Sequence, residues 1–287
     1  MNKVGFFQGL TVLLLWSLSA CGGDPSSAGG NAPGTMRTLG PEETGISFVN
    51  QLSDDLDRNI IEYLYYYNGG GVAVGDINND GLEDLFFTAN EQPDKLYLNK
   101  GNLQFEDITA QAGILADDAW STGVAMVDVN NDGYLDIHVC KVGVGVMPAA
   151  HNLLYLNQQD GTFKESSKDL GLNIQAFSTQ ACFLDYDLDG DLDLYLLNHN
   201  VHSVRSYGST KKRKETDPLA GDRFFENRVN EAEGQFVDVT ASTGIYSSPL
   251  GYGLAIAAAD LNGDGYTDIY IGNDFHENDY IYLNNGD

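Results

Sequence analysis

Short apolar runs separated by polar punctuation fill most of this chain. Gly71-Val-Ala-Val-Gly75 leads into a polar stretch and Asp84-Leu-Phe-Phe-Thr88 leads out of it. Lys95-Leu-Tyr-Leu-Asn99 and Gln104-Phe-Glu-Asp-Ile-Thr109 follow. Each run has the length of a strand, alternates with period two, is rich in β-branched or aromatic residues, and is bounded by Gly, Asn or Asp. That combination predicts four strands joined by tight turns. A helical reading would need apolar periodicity sustained over about ten residues or more, which these segments lack.

The polar stretch is itself a repeat. Asp76-Ile-Asn78-Asn-Asp80-Gly81-Leu-Glu-Asp84 recurs as Asp128-Val-Asn130-Asn-Asp132-Gly133-Tyr-Leu-Asp136, as Asp185-Tyr-Asp187-Leu-Asp189-Gly190-Asp-Leu-Asp193 and as Asp260-Leu-Asn262-Gly-Asp264-Gly265-Tyr-Thr-Asp268. The copies begin 52, 57 and 75 residues apart. That is too long for a solenoid coil of about 20–30 residues and close to a propeller blade of about 40–50, with an insertion in the third interval. The third and fourth segments return as Leu153-Leu-Tyr-Leu-Asn157 and Gly161-Thr-Phe-Lys-Glu165, then as Asp222-Arg-Phe-Phe-Glu-Asn227 and Gln235-Phe-Val-Asp-Val-Thr240. The expected fold is all-β, a β-propeller with about four four-stranded blades present over residues 45–287. In the fourth unit only Tyr280-Ile-Tyr-Leu-Asn284 and a turn follow, so its closing strand is expected from further sequence or from a segment such as Gly45-Ile-Ser-Phe-Val-Asn50.

The loop pattern Asp-x-[Asp/Asn]-x-Asp-Gly-x-x-Asp specifies chemistry as well as shape. Side-chain oxygens at positions 1, 3, 5 and 9 and a backbone carbonyl at 7 are the ligands a hard cation such as calcium takes, with Gly at 6 where the chain reverses. The candidate ligands are Asp76, Asn78, Asp80 and Asp84; Asp128, Asn130, Asp132 and Asp136; Asp185, Asp187, Asp189 and Asp193; and Asp260, Asn262, Asp264 and Asp268. An EF-hand shares these positions but needs Glu at position 12 and flanking helices. Here position 12 is Phe87, Val139, Leu196 and Ile271. A solvated Asx-rich turn uses the same residue types, but four copies at fixed internal spacing favour a ligand loop. Magnesium demands a tighter octahedron, so the expectation is about four structural Ca2+ ions.

Charge supports that view. Against 15 Lys plus Arg stand 42 Asp plus Glu, a formal charge of −27. Such a surface repels a phosphate backbone, so nucleic acid is not an expected partner, and its self-repulsion invites divalent counterions. The N-terminus carries Lys3, then the apolar Val12-Leu13-Leu14-Leu15-Trp16, and ends in Leu18-Ser19-Ala20-Cys21. That order is a secretory signal over residues 1–20. Its last four residues resemble a bacterial lipobox, which implies lipidation of Cys21, a flexible tether over residues 21–44, and an address at the outer membrane, facing the cell surface or the periplasm. Cys140 and Cys182 remain, either as a disulfide or as two unpaired core residues. Cys182 stands where the other units have Ala73, Ala125 and Ala257, which favours a small buried strand position.

Together with the lead-ins Gly123-Val-Ala-Met-Val-Asp128 and Gly253-Leu-Ala-Ile-Ala-Ala-Ala-Asp260, these loops resemble FG-GAP or VCBS repeats, the units of integrin-type β-propellers. Tyr66-Tyr-Asn-Gly-Gly-Gly71, Asn273-Asp-Phe-His-Glu-Asn-Asp279 and the Phe-x-Asp-x-Thr endings resemble more narrowly the cartilage acidic protein, or ASPIC/UnbV, group. The resemblance implies a seven-bladed propeller with a small C-terminal domain, of which about four blades are present here. Two other features stand out: the basic run Lys211-Lys-Arg-Lys214, read as a solvated loop or an anion-docking site, and His199 with His202, whose spacing could place both near one transition metal although no second cluster of His or Cys accompanies them. No nucleophile elbow, phosphate-cradling loop or zinc-protease helix is present. The expected function is a calcium-binding, lipid-anchored extracytoplasmic module for binding, adhesion or scaffolding, with a protein or glycan ligand. The alternatives are a lipid-anchored polysaccharide-active enzyme and an accessory protein of outer-membrane nutrient uptake.

Overall fold

Fifteen strands among the described residues form four antiparallel sheets, and each sheet is one copy of the sequence repeat. The structure, a computed structural model, describes residues 36–53, 55–143, 149–200, 210–275 and 277–286. Two compact units are present, Met1–Leu39 and Gly40–Asp287. In the first, residues 36–39 are described and carry no helix or strand. The signal segment, Cys21 and most of the expected tether therefore lie outside the described residues. The second unit begins at Gly40, five residues before the expected boundary, because Pro41–Thr44 forms a helical turn, α1. Proline pre-sets the first turn, and Gly45 ends it at φ 77°.

Blade one is β1 (Val72–Gly75), β2 (Asp84–Phe87), β3 (Lys95–Asn99) and β4 (Phe105–Asp107). Blade two is β5 (Trp120–Val127), β6 (Asp136–Val142), β7 (Leu153–Asn157) and β8 (Phe163–Glu165). Blade three is β9 (Ser178–Leu184), β10 (Asp193–Asn198), β11 (Arg223–Arg228) and β12 (Gln235–Asp238). Each runs in simple up-and-down order. Blade four has three strands among the described residues, β13 (Gly253–Ala259), β14 (Asp268–Asn273) and β15 (Tyr280–Tyr282). The inner strands β1, β5, β9 and β13 are neighbours in that order. The expected β-propeller is what the chain builds. Gly45–Asn50 does not close blade four. It lies on blade one, where Phe48 stacks on Phe87 at 5.1 Å and Asn50 Nδ2 donates to Asn90 Oδ1 at 2.6 Å.

Apolar cores sit between blades. One joins Phe86 and Leu96 to Ile137, Tyr155 and Phe163; a second joins Cys140 and Leu154 to Leu194, Phe225 and Phe236; a third joins Tyr195 and Phe224 to Ile269 and Ile271. Sandwiching explains why β6 and β10 are buried along their whole length rather than on alternate residues. It also separates the cysteines. Cys140 belongs to the core between blades two and three, whereas Cys182 packs against the core between blades three and four, and both are unpaired. Register confirms the equivalence of Ala73, Ala125, Cys182 and Ala257, which pair with Phe86, His138, Tyr195 and Tyr270. Burial does not follow uniformly: Ala73 is buried, Cys182 half-buried and Ala257 exposed.

Candidate metal centres

Each nine-residue loop joins the first strand of a blade to the second, so position 1 directly follows one strand and position 9 begins the next. The position-9 carboxylates, Asp84, Asp136, Asp193 and Asp268, are all buried. One oxygen of each accepts the N–H of loop position 2: Ile77 at 3.1 Å, Val129 at 3.1 Å, Tyr186 at 3.2 Å and Leu261 at 2.9 Å. The other accepts the N–H of the asparagine at the end of the third segment: Asn99 at 2.7 Å, Asn157 at 2.8 Å, Asn227 at 2.8 Å and Asn284 at 2.8 Å. Position 9 is therefore a structural knot as well as a ligand candidate. Burial, opposed by these N–H donors, pushes Asp136 and Asp193 up to about 7.

Position 1 closes the loop from the other side. Asp76, Asp128, Asp185 and Asp260 accept the N–H of the position-6 glycine at 2.7, 2.8, 3.2 and 2.9 Å. Those glycines have φ between 84° and 97°, a region that Gly enters without a Cβ penalty.

Position 3 divides the loops into two kinds. In loops one, two and four it is Asn, and its Nδ2 donates to the position-5 carboxylate: Asn78 to Asp80 at 3.0 Å, Asn130 to Asp132 at 3.1 Å and Asn262 to Asp264 at 2.8 Å. In loop three Asp187 has no such proton to give. There Asp185, Asp187 and Asp193 each bring a carboxylate oxygen within 4.8 Å of the others. Burial first, and Asp189 next, raise the Asp187 carboxyl. Asp185 Oδ1 is shut off from solvent and accepts no hydrogen bond among the described residues. Asp189 accepts the N–H of Asp191 at 2.8 Å, as the position-5 carboxylates of the other loops accept the N–H of position 7.

These donors fit calcium. Oxygens bound at about 2.3–2.6 Å to one ion stand up to about 5 Å apart, which spans the loop-three cluster. An all-oxygen, mostly carboxylate set suits a hard cation and offers no soft ligand. Loop three has Asp185, Asp187 and Asp193 already convergent. Loops one, two and four hold their expected ligands at one turn, but with the position-3 amide nitrogen aimed at position 5. Position 12 falls in β2, β6, β10 and β14, as expected for strands rather than an EF-hand helix.

The third-segment asparagines have a second role that the sequence reading missed. Asn157 Nδ2 donates to Ile77 O at 2.8 Å, Asn227 Nδ2 to Val129 O at 2.8 Å and Asn284 Nδ2 to Tyr186 O at 2.7 Å, each reaching into the loop of the preceding blade. Loop position 4 reaches the other way, with Asn79 Nδ2 on Gly133 O at 3.0 Å and Asn131 Nδ2 on Gly190 O at 3.3 Å. The cation loops are thus stitched blade to blade. Recurrence of Asn at the end of the Leu-Tyr-Leu-Asn segments was the available signal.

His199 is buried and both ring nitrogens are engaged, Nε2 with Tyr63 OH at 3.0 Å and Nδ1 with Asn200 O at 2.9 Å. His202 lies outside the described residues. The basic run forms a 3₁₀ turn, Thr210–Lys214, whose Arg213 Nε donates to Glu277 at 2.7 Å. Two further clusters were not foreseen. Tyr63, Tyr66, Trp120, Phe177 and Tyr252 form an aromatic core at the ends of the inner strands away from the loops. Lys141, 1% exposed in its side chain, donates to Asp117 at 2.9 Å and Ser121 Oγ at 2.9 Å, with Asp94 at 3.8 Å.

Comparison with known proteins agrees with this anatomy. Residues 76–139 match the FG-GAP-like repeat model and residues 252–283 the FG-GAP repeat model. The chain is 28% identical over 236 residues to cartilage acidic protein 1 of Xenopus tropicalis, covering 79% of this chain and 31% of that protein. It is 26% identical over 212 residues to the Homo sapiens protein, 72% of this chain and 28% of that one. With integrin alpha-8 of Mus musculus it shares 26% identity over 181 residues, 58% of this chain and 17% of that one. The chain thus spans under a third of the length of each relative. Four blades are built round one acidic loop, two stretches of the chain match FG-GAP repeats, and the chain is similar to cartilage acidic protein 1 and integrin alpha-8.

Proposed function

We propose that the chain is a calcium-binding β-propeller module, lipid-anchored through Cys21 outside the cytoplasm, which binds a protein or glycan ligand in adhesion or scaffolding and does no chemistry on it. The observation that carries the calcium reading is loop three, where three carboxylates converge and Asp185 Oδ1, closed from solvent, has no donor among the described residues. Leaving such an oxygen unsatisfied costs about 1–3 kcal/mol, and a divalent ion removes that cost together with the repulsion. When bound, the ion supplies charge neutralisation and a rigid link between strands. Asp185, Asp187 and Asp193 hold it in loop three, and the corresponding residues in the other loops do so once the position-3 amide turns its oxygen inward. Similarity to an integrin alpha chain and to cartilage acidic proteins supports the adhesion role.

Titration calorimetry of the full chain with calcium chloride tests this. Saturable binding is expected, in roughly the 10⁻⁴ to 10⁻³ M range typical of extracellular modules. Asp185→Asn is expected to remove one site while the other loops continue to titrate. No heat of binding, together with a melting temperature indifferent to chelator, would overturn the assignment.

A further inference from the structure

Asn157 and Asn227 each serve two loops at once. The backbone N–H of each is held by the position-9 carboxylate of its own loop, while Nδ2 donates to the position-2 carbonyl of the loop before it. The N–H of that position-2 residue is in turn held by its own loop's position-9 carboxylate. One continuous line of hydrogen bonds results. Asn227 N donates to Asp193 at 2.8 Å and Asn227 Nδ2 to Val129 O at 2.8 Å, and Val129 N donates to Asp136 at 3.1 Å. From there Asn157 N donates to Asp136 at 2.8 Å and Asn157 Nδ2 to Ile77 O at 2.8 Å, and Ile77 N donates to Asp84 at 3.1 Å. Every residue on this line is buried. It passes through a candidate cation ligand in each of loops three, two and one.

Two exposed ties run beside it. Asn131 Nδ2, at position 4 of loop two, donates to Gly190 O at 3.3 Å and also to Asp191 Oδ1, both in loop three. Asn230, just beyond β11, donates its Nδ2 to Asn130 O at 3.1 Å. Asn130 is the residue whose amide has two settings, Nδ2 on Asp132 or Oδ1 turned inward as a ligand, and blade three grips its main chain. The loops also differ in readiness. Loop three offers carboxylates at positions 1, 3, 5 and 9, has no position-3 amide to turn, and already brings Asp185, Asp187 and Asp193 within 4.8 Å of one another. The other loops have one carboxylate fewer and an Asn whose Nδ2 faces position 5. Ligand charge and rigidity set affinity in loops of this kind, which makes loop three the first to load.

Building on the calcium reading above, we propose that loop three is the lead site of a coupled set, and that its loading raises the cation affinity of loop two, and through it of loop one, by way of Asn227, Asn131 and Asn157. Once Asp193 is fixed as a ligand, Asn227 is fixed with it. Val129 and then Asp136 follow, so part of the ordering that loop two would bear alone is already done. Shared ordering of this kind is positive coupling between sites. Repulsion between ions in adjacent loops acts in the opposite sense. The position-5 carboxylates are exposed, however, and physiological salt screens them over a Debye length of about 8 Å, whereas the hydrogen-bonded line is buried.

Hydrogen exchange read by mass spectrometry on loop peptides of the full chain, across a calcium chloride titration at physiological ionic strength, tests this. Protection is expected first in residues 185–193 and then in residues 128–136. In Asp185→Asn, which removes loop three as a site, the midpoint for loop two is expected to rise by about fivefold or more, the low end of coupling between sites. Asn131→Gly is expected to raise the loop-two midpoint and leave that of loop three in place. Loop four already carries Gly263 at this position with φ of 81°, so the substitution suits the backbone. Asn230→Ala, at an exposed position, is expected to act in the same direction. Asp76→Asn, the matching change in loop one, is expected to leave the loop-three midpoint unchanged. A loop-two midpoint that is unshifted or lowered in Asp185→Asn and Asn131→Gly, or a loop two that loads before loop three, would overturn the coupling while calcium binding stands. No protection in any loop at about 10⁻² M calcium, tenfold above the range of extracellular modules, would overturn both.

Discussion

Leu188 sits at position 4 of loop three with φ of 62°, a conformation that costs a non-glycine residue roughly 1–2 kcal/mol. Its counterparts are better suited. Asn79 and Asn131 tolerate φ of 59° and 57° and donate across to the next loop, and Gly263 has no Cβ. Leucine brings neither advantage, and its side chain is 54% exposed, so packing does not compensate. Replacing Leu188 with Asn is therefore expected to stabilise the domain by about 1 kcal/mol, read as a rise in melting temperature of roughly 2–4 °C. No rise, at unchanged calcium affinity, would mean that the strain is relieved elsewhere. Such a position is legible only in part: the repeat shows that Leu188 departs from Asn, but the backbone angle that makes the departure costly belongs to the folded loop.

Among strands and loops, the hairpin of β10 and β11 shows how a buried acid ties elements together. Asp222, just before β11, accepts the N–H of Asn198 at 3.0 Å and the hydroxyl of Tyr195 at 2.8 Å, both on β10. Burial raises its carboxyl from 3.8 to about 7 despite these two donors. Between those values the folded chain binds a proton that the unfolded chain has released. Stability contributed by that proton is present below about pH 4 and lost as pH rises through 7. Asp222→Asn keeps an acceptor oxygen but no titration, so the fall in melting temperature between pH 5 and pH 8 is expected to be smaller in the variant. Parallel pH profiles would show that Asp222 contributes nothing to the slope. The sequence placed the strand here one residue early, because Asp222 reads as its start while its side chain is spent on capping β10.

At the level of the entire chain, a charge of −27 and four acidic loops describe a domain that needs counterions, and four divalent ions would bring eight positive charges to it. The loops lie together because inner strands run in order, so their carboxylates add to one another's field as well as to their own. Among the described residues no helix is long and apolar enough to cross a membrane. The attachment proposed for the chain is through Cys21, at the end of the Leu18-Ser19-Ala20-Cys21 segment. Expressed in a diderm bacterial host with labelled palmitate, the full chain is expected to take up label and partition into the membrane fraction, and Cys21→Ser to lose both. A Cys21→Ser chain that retains the label would place the modification elsewhere.

Strand number, loop positions and the hard-cation donor set followed from local pattern, because a period of two, turn residues and a nine-residue motif are properties of neighbours along the chain. The third-segment asparagines could be seen to recur, but not to reach back into the preceding loop. That contact depends on how one blade is rotated onto the next. The same holds for the separation of Cys140 from Cys182, which lie on cores either side of blade three, and for the place of Gly45, which the chain sets against Phe105 of blade one rather than using it as a strand for blade four. Convergence of Asp185, Asp187 and Asp193 stands between the two cases. The motif named the residues, and only the folded loop, with β10 carrying Asp193 back toward the end of β9, brought their oxygens within 4.8 Å.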